Sequence, residues 1–201
     1  MKNKVSYIYF DIGGVFFNWR KTVAQLANHL DVDEKTFWNV FVELDEGVCA
    51  GRMSAQNLWR EYKKRYPNAE DIDEFLVWWT DRFEPYHETH RLVHDVIKKY
   101  RVGLITNIYP DAYPRMLQKG HVPDLPYEVV VESCKVGPNK PDDKIFIHAE
   151  EQANVPPTEI FFIDDSERNI TAANARGWQG FLFNEDDPAA AAKEIRRLLD
   201  V

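Results

Sequence analysis

Val5-Ser6-Tyr7-Ile8-Tyr9-Phe10-Asp11-Ile12-Gly13-Gly14-Val15 is an apolar run that stops on an aspartate followed by two glycines. A continuous apolar stretch of this length reads as a strand buried on both faces. Open α/β sheets place their ligands at the C-terminal ends of such strands, where Asp11 stands. The glycines allow a tight turn and a close approach of backbone to a ligand. A second run, Ile160-Phe161-Phe162-Ile163-Asp164-Asp165-Ser166, ends in the same manner. Two carboxylate-tipped strands in one sheet can offer oxygen ligands to a hard cation.

Outward from these two runs, β-rich segments recur at Ser6–Phe10, Val102–Thr106, Glu128–Val131, Ile160–Ile163 and Gly180–Phe183. Helical patterns at Asp111–Lys119, Asp142–Ala153 and Glu167–Arg176 lie between the later strands, and Pro188–Leu199 follows the last. This alternation predicts βαβ units and a doubly wound parallel sheet. The long interval from Val15 to Tyr100 contains no strand pattern. It carries helical patterns at Thr22–Leu30, Asp33–Glu46, Ser54–Arg65 and Asp71–Phe83, then a crossover helix near Glu88–Tyr100. Asp33 and Ser54 suit helix N-caps. Trp38, Phe41, Trp59, Phe75, Trp78 and Trp79 recur at helical spacing, as the core of a small bundle would require. The expected architecture is a sheet domain (1–15 and 88–201) interrupted by a helical cap (16–87) that can close over the strand ends.

Composition narrows the function. The chain has 201 residues, of which 44% are hydrophobic, enough for a sizeable core. Its net charge of −8 disfavours a general nucleic-acid binder, which needs a basic face. Cys49 and Cys134 fall in no C-x-x-C pattern and read as reduced thiols in a cytoplasmic protein. No apolar run reaches membrane-spanning length, and Met1-Lys2-Asn3-Lys4 leads directly into a strand, so neither a signal segment nor a membrane partner is expected. Asn169-Ile170-Thr171 matches a glycosylation acceptor, which a cytoplasmic chain does not present to that machinery.

Four sites follow one another at strand ends or the loops after them: Asp11, then Thr106-Asn107, then Lys140-Pro141, then Asp164-Asp165. Each is weak alone; their order is not. Together they resemble the haloacid dehalogenase-like hydrolase superfamily, in the subfamily I arrangement with a helical cap between the first and second motifs. Ser133-Cys134-Lys135-Val136-Gly137, before Lys140-Pro141-Asp142, is also similar to family sequence. The resemblance implies Asp11 as nucleophile, Thr106 as the second-motif hydroxyl, Lys140 as the third-motif lysine, and Asp164 and Asp165 as the acidic pair. It further implies Mg²⁺ held by Asp11, the Gly13 carbonyl and the acidic pair, with Asp165 the direct ligand and Asp164 a second ligand or outer partner.

The chemistry of these groups agrees with those roles. A carboxylate nucleophile splits one difficult displacement into two through an acyl phosphate. An anionic nucleophile meeting an anionic phosphate needs neutralising charge, which Mg²⁺ and Lys140 would supply. Thr106 and Asn107, with the backbone N–H groups after them, could take the remaining phosphate oxygens. Arg52, in the polar stretch Gly51-Arg52-Met53-Ser54, is a further candidate for a substrate anion, although a lone loop arginine is commonly just exposed. The partner expected is a small phosphorylated metabolite; the oligomeric state is not readable.

One position departs from the family pattern. Phosphatases of this family carry an aspartate two residues after the nucleophile, and here that place holds Gly13. A positioned acid/base contributes ~10²–10⁴-fold in rate. Three readings remain open: a phosphatase that obtains the proton elsewhere, a weak or inactive phosphate-binding protein, and a dehalogenase. The metal-type acidic pair and the Gly-Gly loop argue against the last. His87, His90 and His94 cluster near a helix start, where capping is the plainer reading than zinc.

Overall fold

The computed structural model describes residues 4–201. Met1–Asn3, expected from the sequence to belong to the core, lie outside the described residues. In chain order the elements are β1 (Tyr7–Phe10), β2 (Phe17–Asn18), α1 (Arg20–His29), α2 (Glu34–Cys49), α3 (Ala55–Arg65), α4 (Phe75–Thr80), β3 (Glu84–Pro85), α5 (His87–Val96), β4 (Arg101–Thr106), α6 (Ala112–Gln118), β5 (Val130–Glu132), α7 (Ser133–Val136), α8 (Asp143–Ala153), β6 (Ile160–Asp164), α9 (Glu167–Ala175), β7 (Gln179–Leu182) and α10 (Pro188–Leu199).

Five strands form one parallel sheet in the order β5-β4-β1-β6-β7. All four residues of β1 are buried, because both faces of the sheet are covered. Tyr7 and Tyr9 point into one cluster with Phe146, Phe162 and Trp178. Ile8 and Phe10 point the other way, into a core that continues into the cap. β1 is central, with β4 and β6 on either side, so Asp11 emerges between their C-terminal ends. The order of the sheet reverses direction here, where such folds bind ligands.

The cap is α1–α4. Asp33 and Ser54 cap α2 and α3 as expected, accepting from the N–H groups of Thr36 and Asn57. The helix expected over Asp71–Phe83 is shorter, beginning only at Phe75. The Gln56 amide accounts for this: it donates to the Ile72 carbonyl at 3.2 Å and accepts from the Phe75 N–H at 3.0 Å, so those backbone groups have partners without a helix. The crossover helix also ends early, at Val96, and runs on as turns to Tyr100.

An antiparallel pair that sequence patterning does not show joins cap to core. The outgoing strand β2 pairs with the returning strand β3, Phe17 opposite Pro85 and Asn18 opposite Glu84. Phe17 stacks on Phe83 at 4.5 Å between ring centroids. The far side of the cap is tied down as well. Ser133 Oγ donates to the Cys49 carbonyl at 2.6 Å, and the Asn139 amide donates to the Glu46 carbonyl at 3.0 Å. These bonds tie the C-terminal end of α2 to α7 and the loop after it. Among the described residues, no helix is long and apolar enough to cross a membrane.

Candidate active site

Asp11 follows β1 directly. Its N–H donates to the Ile163 carbonyl at 2.8 Å, which continues the sheet ladder and fixes where its side chain starts. Its Oδ1 accepts from the Ile12 N–H at 2.7 Å and lies 2.9 Å from Lys140 Nζ. Among the described residues no donor reaches Oδ2, which leaves that oxygen free for chemistry.

Lys140 is 1% exposed, so its ammonium has no water to rely on. Its three protons have three acceptors: Asp11 Oδ1 at 2.9 Å, Asp164 Oδ2 at 2.6 Å and the Ile105 carbonyl at 2.9 Å. Asn107 positions this lysine. Its amide donates to the Lys140 carbonyl at 3.0 Å and accepts from the Lys140 N–H at 2.7 Å. One N–H and the oxygen of the amide are thus engaged with the Lys140 backbone, and Asn107 also borders the cleft. Thr106, at the end of β4, is different. Its buried hydroxyl makes only a long 3.4 Å contact to the Asn107 carbonyl and stays available.

The two acidic residues after β6 divide their work. Asp164 is fully buried and saturated. Its Oδ1 accepts from the Ser166 N–H at 2.8 Å and the Asn169 amide at 3.0 Å, and its Oδ2 accepts from Asn169 at 3.1 Å and from Lys140. Asp165 keeps free capacity; among the described residues its ion-pair partner is Arg20, at 3.3 Å. Gly14 accounts for how Asp165 comes so close to the first loop. A β-carbon on Gly14 would stand 2.4 Å from the Asp165 carboxylate, and its φ of +75° favours glycine in any case. Asn169 is 4% exposed, so the glycosylation pattern it belongs to is inaccessible.

Oxygens of Asp11, Asp164 and Asp165 lie within 4.8 Å of one another. Burial pushes the Asp11 carboxyl above the ordinary range; Lys140 opposes the shift, and Asp164 and Asp165 reinforce it. Asp165 is pushed up to about 6 by burial and by the charges of Asp164 and Glu185, against Arg20 and Lys140. Burial alone would lower Lys140, but Asp11 and Asp164 outweigh it and hold the ammonium charged. Three carboxylates thus face one buried lysine and one rim arginine. An all-oxygen donor set with excess negative charge suits a hard divalent cation such as Mg²⁺.

A cleft of about 670 Å³ opens above these groups, with the cap as its other wall. Arg52 borders it, but its side chain is 62% exposed and lies 3.3 Å from Glu46, so it stands at the rim. His90 does not assemble a metal site with its neighbours. Its Nε2 is within hydrogen-bond distance of the Phe16 and His121 carbonyls, at 3.2 and 3.1 Å, and pins the hinge, while His87 and His94 are exposed. Trp19, Arg20, Tyr109 and Asn169 also belong to the site, and their sequence context does not single them out for it. Only Asn169 carries a local signal, five residues beyond Asp164 in the first turns of α9.

The family model for haloacid dehalogenase-like hydrolases matches residues 7–177. A sesquiterpene phosphatase of Aspergillus oryzae is 25% identical over 193 residues, covering 94% of both chains. A drimenol cyclase of Aspergillus calidoustus is 23% identical over 190 residues, but the chain spans only 35% of that relative's length. Among solved structures, a haloacid dehalogenase family enzyme of Bacteroides thetaiotaomicron superposes with a TM-score of 0.74 at 20% identity, covering 97% of this chain and 98% of that one. The same enzyme in complex with magnesium and inorganic phosphate gives 0.68 at 20% identity, covering 90% and 95%. With the family model spanning most of the sheet domain and the whole cap, the chain belongs to the haloacid dehalogenase-like hydrolases.

Proposed function

We propose that this chain hydrolyses a small phosphomonoester in the presence of Mg²⁺, with Asp11 as nucleophile. The observation that carries this reading is the Lys140 ammonium shared between Asp11 Oδ1 and Asp164 Oδ2, with Asp11 Oδ2 left free. Lys140 orients the nucleophile and offers positive charge where phosphate must enter. Asp11 Oδ2 attacks phosphorus, the ester P–O bond breaks, and the departing alkoxide takes a proton from water. Water then attacks phosphorus of the aspartyl phosphate, releasing inorganic phosphate and regenerating Asp11. Thr106 and the N–H groups of the loop after Asp11 would hold the phosphate oxygens. Mg²⁺, held by Asp11, Asp165 and the Gly13 carbonyl with Asp164 behind them, would neutralise charge on the phosphate oxygens.

The sesquiterpene phosphatase relative and the magnesium–phosphate complex of the Bacteroides enzyme support this reading. Gly13 favours one further reading, a weak or inactive phosphate-binding protein on the same frame, because the cleft lacks a carboxylate at that position. Hydrolysis of p-nitrophenyl phosphate with and without Mg²⁺ separates the two. Turnover that needs both Mg²⁺ and Asp11 supports the enzyme; binding of phosphate without turnover supports the alternative. The localisation that goes with this role is cytoplasmic, and the partner a phosphorylated small molecule.

A further inference from the structure

One wall of the cleft, built from the segment after β2 and the loop after β4, carries a row of aromatic rings. Trp38 and Trp19 stack with ring centroids 6.1 Å apart, Trp19 and Phe41 at 5.9 Å, Phe41 and Trp79 at 5.6 Å, and Trp79 and Tyr109 at 6.2 Å. All five rings border the same cleft as Asp11 and Lys140. Val42, on α2, adds a half-exposed aliphatic side chain to this lining.

The polar groups on this wall are already paired with one another. Tyr109 donates its hydroxyl to Asp45 at 2.5 Å, and the Cys49 thiol lies 3.6 Å from the same carboxylate. Glu46 and Arg52 pair at the rim. Arg20 is engaged with Asp165 and Glu185. Arg168, the remaining arginine bordering the cleft, lies in the first turn of α9, three residues after Asp165. Among the described residues, Arg52 and Arg20 on this wall thus each already have a carboxylate partner. The wall does offer apolar surface adjoining the phosphate site, from the half-buried Trp19 and Trp38 rings and the half-exposed Val42, with Phe41, Trp79 and Tyr109 buried among them.

We infer that the cleft takes a phosphomonoester whose organic part is a bulky, uncharged, apolar group lying along the Trp38–Tyr109 row. This rests on the phosphatase reading only for the fate of the phosphate; the apolar recognition stands on the wall itself. Gly13 fits the same picture from the side of chemistry. With no carboxylate side chain at that position, binding of the organic part is where this cleft would distinguish one phosphomonoester from another.

The test uses n-alkylphosphonates of increasing length, which keep the anionic head and resist hydrolysis, with the tryptophan fluorescence of the whole chain as readout in the presence of Mg²⁺. Each methylene buried contributes about 0.8 kcal/mol, so the Kd should fall roughly fourfold per carbon until the wall is covered. Val42→Asp, a change at a half-exposed site that the fold tolerates, should raise the Kd for decylphosphonate at least tenfold more than that for methylphosphonate. A Kd independent of chain length, or tighter binding of glucose 6-phosphate than of decylphosphonate, overturns the inference. Because phosphonate binding needs no turnover, an inactive chain that shows the length dependence sinks the phosphatase reading and leaves this one standing.

Discussion

The indole of Trp19 covers Gly13: a β-carbon placed on that glycine would lie 3.2 Å from Trp19 Cδ1 and 3.4 Å from Nε1. The room that an acid/base side chain would need is taken by a ring that cannot readily retreat, since Trp38 and Phe41 stack against it. Gly13→Asp alone is thus expected to lower the melting temperature without gaining activity. In a Trp19→Leu background the same change should raise alkyl-phosphate hydrolysis by at least ~10-fold, since a positioned acid/base contributes ~10²–10⁴-fold. Equal rates for Trp19→Leu and the double variant would show that the proton comes from another place.

Asp11→Asn removes the nucleophilic charge but keeps the shape and the acceptor for the Ile12 N–H. Turnover of p-nitrophenyl phosphate should drop by at least ~10³-fold while the circular dichroism spectrum stays that of the parent. Parent-like turnover would remove Asp11 from the role assigned to it.

Among the described residues, Lys140 is the one buried cation that touches these carboxylates, and Lys140→Met leaves Asp11 and Asp164 without it. Removing one partner of a buried ion pair costs ~3–5 kcal/mol. Urea titration should show a loss of that order, and Asp164→Asn added to Lys140→Met should recover part of it. Additive losses from the two changes would mean that the residues are not coupled.

Excess chelator should abolish turnover, and Mg²⁺ should restore it. The two acidic residues should respond differently to this titration. Asn169→Ala releases Asp164 from its amide partner and should weaken Mg²⁺ binding by ~10–100-fold, the usual cost of losing an outer partner of a metal site. Asp165→Ala, which removes a direct oxygen, should cost more. The reverse order would exchange the roles of Asp164 and Asp165.

Asp45 is pushed up to about 6, chiefly by burial, while the Tyr109 hydroxyl and Cys49 thiol partly offset the shift. A carboxyl whose folded pKa is raised favours the folded state while protonated, so that contribution is full below about 4 and is lost as pH rises through about 6. Asp45→Asn, which still accepts from Tyr109, should therefore stabilise the chain at pH 7–8, by at most about 3 kcal/mol, and flatten the decline between pH 4 and 6. Chemical denaturation at a series of pH values measures this directly; a variant less stable than the parent at pH 8 would contradict it.

The sheet and the ends of its strands were legible because an uninterrupted apolar run of five or so residues tipped with a carboxylate suits a strand buried on both faces and little else. Asp11, Lys140, Asp164 and Asp165 lie together at the strand ends, and Thr106 borders the same cleft. The role of Asn107 was not legible, because an amide beside a phosphate site and an amide gripping a lysine backbone look alike in one dimension. α4 was overestimated because no local pattern reveals that Gln56, far upstream, satisfies the backbone of Ile72 and Phe75. Nothing along the chain singles out Trp19 and Tyr109; their place on the cleft wall depends on how the helices after β1 are set against the sheet. The β2–β3 pair, two residues on each side, is too short to leave a periodic signal.

That pair has a consequence for how such a chain can change over generations. Phe17 faces Pro85, so the polypeptide leaves the catalytic layer and returns to it side by side. A segment threaded between those two points can change in length while the chain still leaves and re-enters at one seam. Inherited variation in the lining of the cleft can then accumulate on one side of a narrow seam, while the aspartates and the lysine on the other side keep their registry.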